Sequence, residues 1–286
     1  MPDLNVNLQN EKERHPFGIC HRGALPLVMG IVNVTPDSFF DGGQYRQTDA
    51  AITHGVKLAE EGADILDIGG ESSRPGAEPV TMEEELRRVI PVIARLKKET
   101  DIPISVDTCK SRVAKEAIDA GAEIVNDISF GRFDTSMFSI VSKSDVGYLG
   151  MHMQGSPGNM QMNPSYTDVV GEVRDFLQER AELATGCGVR ADKIVVDPGI
   201  GFGKNDNHNI ALLRSLNELK MLGYPLMVGA SRKSMIGRLL GLELGARLAP
   251  SIAIALFSAL KGAGVIRVHD VSDTRQALRM WDLLSE

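Results

Sequence analysis

Eight short apolar runs in this chain each give way to residues that can do chemistry. The first ends in Asn33-Val34-Thr35-Pro36-Asp37-Ser38-Phe39, and the second in Gly70-Glu71-Ser72-Ser73-Arg74-Pro75-Gly76. Asp107-Thr108, Asn126-Asp127 and Met151-His152-Met153-Gln154 close the next three. The sixth ends in Asp197-Pro198-Gly199-Ile200-Gly201-Phe202-Gly203-Lys204, the seventh in Gly229-Ala230-Ser231-Arg232-Lys233-Ser234, and the eighth carries Arg267-Val268-His269-Asp270. Asp107, Asn126 and Asp197 are acceptors at a similar depth on three runs, suited to the N–H edge of a nitrogen-rich heterocycle. A buried acceptor left unpaired costs about 1–3 kcal/mol, so these three call for a donor-bearing ligand or for mutual pairing. Arg74, Lys233, Arg267 and His269, with the hydroxyls of Ser73, Ser231 and Ser234, suit a phosphate or diphosphate, because guanidinium forks bind such oxygens two at a time. The expected site is two-headed; ion pairing across its rim is the alternative reading.

Other chemistries fit less well. Gly199-Ile200-Gly201-Phe202-Gly203-Lys204 is similar to a P-loop but departs from it twice: Pro198 takes the first glycine position and Asn205 follows the lysine. It reads instead as a tight loop whose backbone approaches a ligand, with Phe202 as a ring wall. Phe39 and Phe40 beside Gly42-Gly43 mark a candidate lid. The six histidines form no HxxxH pair, which argues against zinc. Mg²⁺ shared with a diphosphate needs one or two protein oxygens, which Asn33 could supply. Cys109 reads as a packing residue, and Lys233 as an electrostatic or stacking group in preference to a Schiff-base amine.

These residues need a frame that brings eight strand ends together. Each apolar run is followed by a segment of helical spacing, and the strands read apolar on both faces, as in a parallel sheet covered by helices. Gly62-Ala63, Gly121-Ala122 and Gly262-Ala263 punctuate the returns to strand. Eight right-handed βαβ steps close most simply into an α/β (β/α)8, or TIM, barrel, with an open doubly wound sheet as runner-up. The expected organisation is a short N-terminal extension, residues 1–23, and one barrel domain, residues 24–286. A barrel of this type presents its active site at the C-terminal strand ends, where the polar residues gather.

The 286 residues carry 31 basic and 38 acidic side chains, a net charge of −7, and 43% are hydrophobic. This balance excludes disorder and argues against nucleic acid bound by bulk charge. Three dispersed cysteines suit a reducing compartment. The most apolar stretch, Ala249–Leu260, is too short to span a bilayer, so a cytoplasmic protein without membrane partners is expected.

Gly30–Gly43 (GIVNVTPDSFFDGG) and Asp67–Ala77 (DIGGESSRPGA) closely resemble the two signature segments of the dihydropteroate synthase family. SVDT at Ser105–Thr108, NDI at Asn126–Ile128, MHMQGSPGNMQ at Met151–Gln161, DPGIGFGKN at Asp197–Asn205, SRKS at Ser231–Ser234 and RVHD at Arg267–Asp270 match in order. The resemblance implies a barrel enzyme of folate biosynthesis. It would join 6-hydroxymethyl-7,8-dihydropterin diphosphate to p-aminobenzoate, release pyrophosphate, and be inhibited by sulfonamides. It assigns Asp107, Asn126, Asp197 and Lys233 to the pterin, with Ile128, Met151, Phe202 and Gly229 lining the pocket. Asn33, Ser73, Arg267 and His269 would hold pyrophosphate, with Mg²⁺ at Asn33. Phe39, Asp41, Arg74 and Pro75 would form the aminobenzoate loops, together with Ser231 and Lys233. It also implies a homodimer through the last helices. Ser73 stands where the family usually has Thr, and Phe40 where Ser is common. A methyltransferase on a related barrel and a non-catalytic pterin-binding paralogue are the competing readings. Neither accounts as well for intact loop and anion residues.

Overall fold

The computed structural model describes residues 25–35, 44–73 and 76–285. Eight parallel strands alternate with helices. They are β1 (Leu27–Asn33), β2 (Ile65–Gly69), β3 (Ile104–Asp107), β4 (Ile124–Asp127), β5 (Gly147–Met151), β6 (Ile194–Asp197), β7 (Met227–Val228) and β8 (Val265–Val268). The sheet runs β6-β5-β4-β3-β2-β1-β8-β7. A parallel bridge from Val196 to Leu226 joins its two ends, with Val196 N donating to Pro225 O at 3.0 Å. The strands therefore form a barrel, as the eightfold alternation predicts, and the open-sheet alternative is excluded. Helices α1 (Gln44–Glu60), α2 (Met82–Glu99), α3 (Ser111–Asp119), α4 (Met137–Ser144) and α5 (Val169–Gly186) follow the first five strands. After β6 come α6 (Asp206–Arg214) and α7 (Leu216–Lys220), and after β7 come α8 (Ser234–Leu240) and α9 (Leu248–Leu260); α10 (Val271–Ser285) ends the chain.

Two of the helical segments are divided. The one after β6 breaks at Ser215, and the region before Gly262 is two helices separated after Gly241, whose φ is +66°. Cys109 lies in the connection before α3, and burial pushes its thiol strongly upward, as suits an inert packing residue.

Side-chain alternation explains how this barrel makes a site. Leu27, Met29, Ile65, Ile124, Leu149, Val195, Met227 and Val265 form one buried cluster inside the barrel. The strand residues between them, such as Leu66, Val125, Tyr148 and Ile266, join the larger core under the helices. Residues i and i+2 of a strand share a face. Two positions beyond Ile65, Ile124, Leu149, Val195, Met227 and Val265 stand Asp67, Asn126, Met151, Asp197, Gly229 and Arg267. The interior is thus an apolar floor under a mostly polar layer. Leu149→Ala should cost about 2–5 kcal/mol, because the floor cannot collapse into the gap. Urea denaturation followed by circular dichroism measures that loss.

Candidate active site at the C-terminal strand ends

Arg267 is the centre of the polar layer. Its Nε donates to Asp67 Oδ2 at 2.6 Å and its Nη2 to Asp107 Oδ2 at 3.0 Å. Asn126 Nδ2 donates to the same Asp67 oxygen at 3.0 Å. Asp67 is fully buried, and its Oδ1 has no hydrogen-bond partner among the described residues. One guanidinium thus faces two carboxylates. Burial, and then the charge of Asp67, push Asp107 up to about 7 against the opposing pull of Arg267. Burial opposes the charge on Arg267, but Asp67 and Asp107 outweigh it and hold the guanidinium above its usual range.

The acidic and basic residues of the expected two-headed site touch one another: Arg267 is ion-paired with the expected acceptor Asp107 and with Asp67. The alternative reading, pairing across the rim, describes these three side chains. Asp67 is absent from the expected site. It is buried inside the apolar-looking run Ile65-Leu66-Asp67-Ile68, not at its end, where the other polar residues of the site stand. The available signal was parity: Asp67 stands two after Ile65, as Asp197 stands two after Val195.

Asp197 lies across the mouth, 4% exposed, and its Oδ1 accepts from Gly199 N at 2.7 Å. Burial pushes its carboxyl upward, opposed by Lys233, the Gly199 amide, Lys204 and Arg267. Lys233 Nζ donates to Ile200 O and sits 4.5 Å from the centre of the Phe202 ring. Burial draws this amine down to about 8. Ile128 and Phe202 pack against Met151, Met153 and Met160, an apolar wall beside Asp197. Gly229 leaves space beside Arg267, where a Cβ would come within 3.6 Å of the Arg267 Cβ.

At the eighth strand end, Ser231 Oγ accepts from His269 N at 3.2 Å and meets His269 Nδ1 at 3.0 Å. The structure therefore sets Ser231 against His269. Asp270 takes two hydrogen bonds from Arg232, at 2.8 and 2.6 Å, which fixes the loop that presents Lys233. Ser234 is exposed, and its Oγ accepts from Arg238, so this hydroxyl serves a surface contact. Of the two polar residues of the fourth motif, only Asn126 faces the barrel. Asp127 points outward and accepts from Ser129, Gly131 and Tyr148. Asn33 and Ser73 are both half-buried, Asn33 at the end of β1 and Ser73 in the β2–α2 connection. Phe39, Phe40, Asp41, Arg74 and Pro75 lie outside the described residues.

The residues fit a singly anchored Mg²⁺ better than a protein cage. Among the described residues no group of three His, Cys, Asp or Glu side chains could hold a metal. Asn33 Oδ1 and Asp107 Oδ2 both lie beside Gly69, 3.9 and 3.7 Å from where a Cβ there would stand. One amide oxygen with diphosphate and water oxygens is a normal Mg²⁺ shell.

Residues 29–269 match the sequence family described as pterin binding enzyme. The dihydropteroate synthase of Neisseria meningitidis serogroup C is 47% identical over 263 residues, 91% of this chain and 93% of that protein. The chain belongs to the dihydropteroate synthase family. Among solved structures, the Xanthomonas albilineans dihydropteroate synthase with 4-aminobenzoic acid superposes with a TM-score of 0.86 at 49% identity, covering 91% of this chain and 93% of that one. The enzyme from the same organism in complex with 7,8-dihydropteroate gives 0.83 at 46% identity, covering 91% and 94%. These relatives therefore share the same barrel.

The Asp67–Arg267–Asp107 cluster has a consequence for stability. An aspartate ionises near 3.9 in the unfolded chain, whereas Asp107 in the folded protein holds its proton to about 7. Between those values the folded state binds more protons, so this residue's contribution falls as pH rises from about 4 to 7 and stays low above. Asp107→Asn removes that dependence. The variant should melt above the wild type at pH 8 and close to it at pH 4, as differential scanning calorimetry of the ligand-free protein measures.

Proposed function

We propose that this chain catalyses the dihydropteroate synthase reaction, in which p-aminobenzoate displaces pyrophosphate from 6-hydroxymethyl-7,8-dihydropterin diphosphate. The observation that carries the reading is the polar layer itself, where acceptors for a heterocycle and a guanidinium for its leaving group share one barrel mouth. The arylamine nitrogen forms a bond to the pterin methylene carbon as the C–O bond to the diphosphate breaks. The bonding pair leaves with pyrophosphate, and the amine loses a proton. Such a step demands leaving-group stabilisation more than a strong base, which accounts for a site without a Ser-His-Asp or Cys-His arrangement.

Asp197 and Asn126 meet the ring N–H and amide edge, with Asp107 beside them. Met151, Ile128, Phe202 and Gly229 bound the ring, and Lys233 lies over its edge. Arg267 and His269, with Asn33 and Ser73, take the diphosphate. A Mg²⁺ held through Asn33 would neutralise charge on the departing group. When the diphosphate arrives, Arg267 has a stronger anion to bind than the carboxylate of Asp107 alone. Ser231 and Lys233, with Phe39, Asp41, Arg74 and Pro75, form the aminobenzoate end. A sulfonamide competes there. The substrates are small molecules, without nucleic acid or membrane; no described helix is long and apolar enough to cross a membrane. Cys109 and Cys187 are free thiols, which supports a cytoplasmic setting.

A homodimer completes the reading. Leu260 at the end of α9 and Leu283 and Leu284 at the end of α10 are 61, 68 and 73% exposed, and the two helices pack together. Large apolar side chains left exposed on adjoining helices suit an interface. Sedimentation equilibrium should give twice the chain mass, and Leu284→Asp combined with Leu260→Asp should shift it toward one.

Pyrophosphate release should require both substrates and fall to background when either is omitted. Release without p-aminobenzoate at the full rate would refute the condensation. Arg267→Ala should lower turnover by about 10²- to 10³-fold, the usual loss on removing an oriented charge stabiliser, with an unchanged circular dichroism spectrum.

A further inference from the structure

The β6–α6 loop ends in a lysine that the proposed reaction does not use. Lys204 is fully buried. Its Nζ lies 2.9 Å from Phe202 O, 2.9 Å from His152 Nδ1 and 3.4 Å from His152 O. Three acceptors surround Nζ, and among the described residues no carboxylate pairs with it; burial draws the amine well below its usual range, and it donates to these acceptors whether it holds three protons or two. For Nδ1 to accept, the His152 imidazole must be neutral and carry its proton on Nε2. Burial, and then the charge of Lys204, draw His152 down to about 2, so the ring stays neutral throughout the working range. Phe176 packs edge-on against that ring, with centroids 4.8 Å apart, and holds its orientation.

The backbone shows the same docking. Gly199 and Gly203 have φ of +67° and +61°, a left-handed conformation that favours glycine. A Cβ on Gly199 would lie 1.9 Å from His152 O, and one on Gly203 would lie 2.5 Å from Gln154 O. The loop is thus pressed directly on the segment that follows β5, with the lysine amine sealing the seam. On its other side the same loop presents the Ile200 carbonyl and the Phe202 ring, both of which touch Lys233. The similarity to a P-loop ends here: the lysine turns inward to fasten the loop and does not reach for phosphate.

We propose that Lys204 is a positioning residue for the pterin pocket: its buried amine, clamped by His152 and the Phe202 carbonyl, fixes the loop that presents Phe202 and Ile200 to Lys233. The proposal rests on the pterin reading of that pocket, and its test separates the two. Lys204→Met keeps the volume and removes the donors. His152→Phe keeps the ring and removes the acceptor, whereas His152→Asn restores an acceptor near the position of Nδ1. Calorimetry with 6-hydroxymethylpterin should show binding weakened about tenfold in Lys204→Met and His152→Phe, as for a misplaced binding wall, and near wild-type binding in His152→Asn. Amide hydrogen exchange should quicken over residues 199–205 in the two weak binders while residues 194–197 of β6 stay protected. Wild-type affinity and exchange in Lys204→Met would overturn the proposal. So would His152→Asn behaving like His152→Phe, or exchange quickening evenly across the barrel. If the wild-type protein itself neither binds the pterin nor releases pyrophosphate, the functional reading falls, and the exchange comparison still decides the role of Lys204.

Discussion

The site depends on one unequal match: a single guanidinium, Arg267, between two carboxylates, Asp67 and Asp107. Buried charges persist only when paired and hydrogen-bonded. Here the pairing is incomplete by design of the count, since two acids share one base and one oxygen of Asp67 has no partner among the described residues. The cluster is internally satisfied enough to fold and unsatisfied enough to exchange partners. In the reaction proposed above, an incoming diphosphate would offer Arg267 a further anion beside these two carboxylates.

The barrel makes that arrangement possible because strand alternation separates support from chemistry. Outward residues, such as Leu66, Val125 and Ile266, bury against helices, while inward residues form the floor and then the polar layer. No helix has to donate a side chain to the centre of the site. Helices and connections instead set the rim, as Arg232 and Asp270 do for Lys233 and as the loop of Phe202 does for the ring wall. Catalytic groups on strands gain the rigidity of the sheet, and groups on loops gain room to adapt to a second substrate.

Much of the site was legible before the fold. Asp107, Asn126, Asp197, Lys233, Arg267 and His269 stand at the ends of apolar runs, where a polar residue interrupts a pattern and so attracts notice. Asp67 was not legible in that way, because apolar neighbours surround it and only its parity with Ile65 marks it. The contrast between Asn126 and Asp127 is of the same kind: the two are adjacent and polar, yet alternation sends one to the ligand side and the other to a structural cap. Lys204 was visible as part of a glycine-rich motif, but its direction was not, since direction depends on what the loop packs against.

The sequence by itself determined the eight strand–helix units, the barrel and the family, because periodicity and ordered motifs are local properties of the chain. Tertiary structure alone decided that Arg267 pairs with Asp67 and Asp107, residues 200 and 160 positions away. It also decided that Lys204 faces His152 and that Ser231 faces His269. Those partnerships follow from strand register and barrel closure, which set distances between residues remote in the chain and leave no mark on the spacing within any one segment.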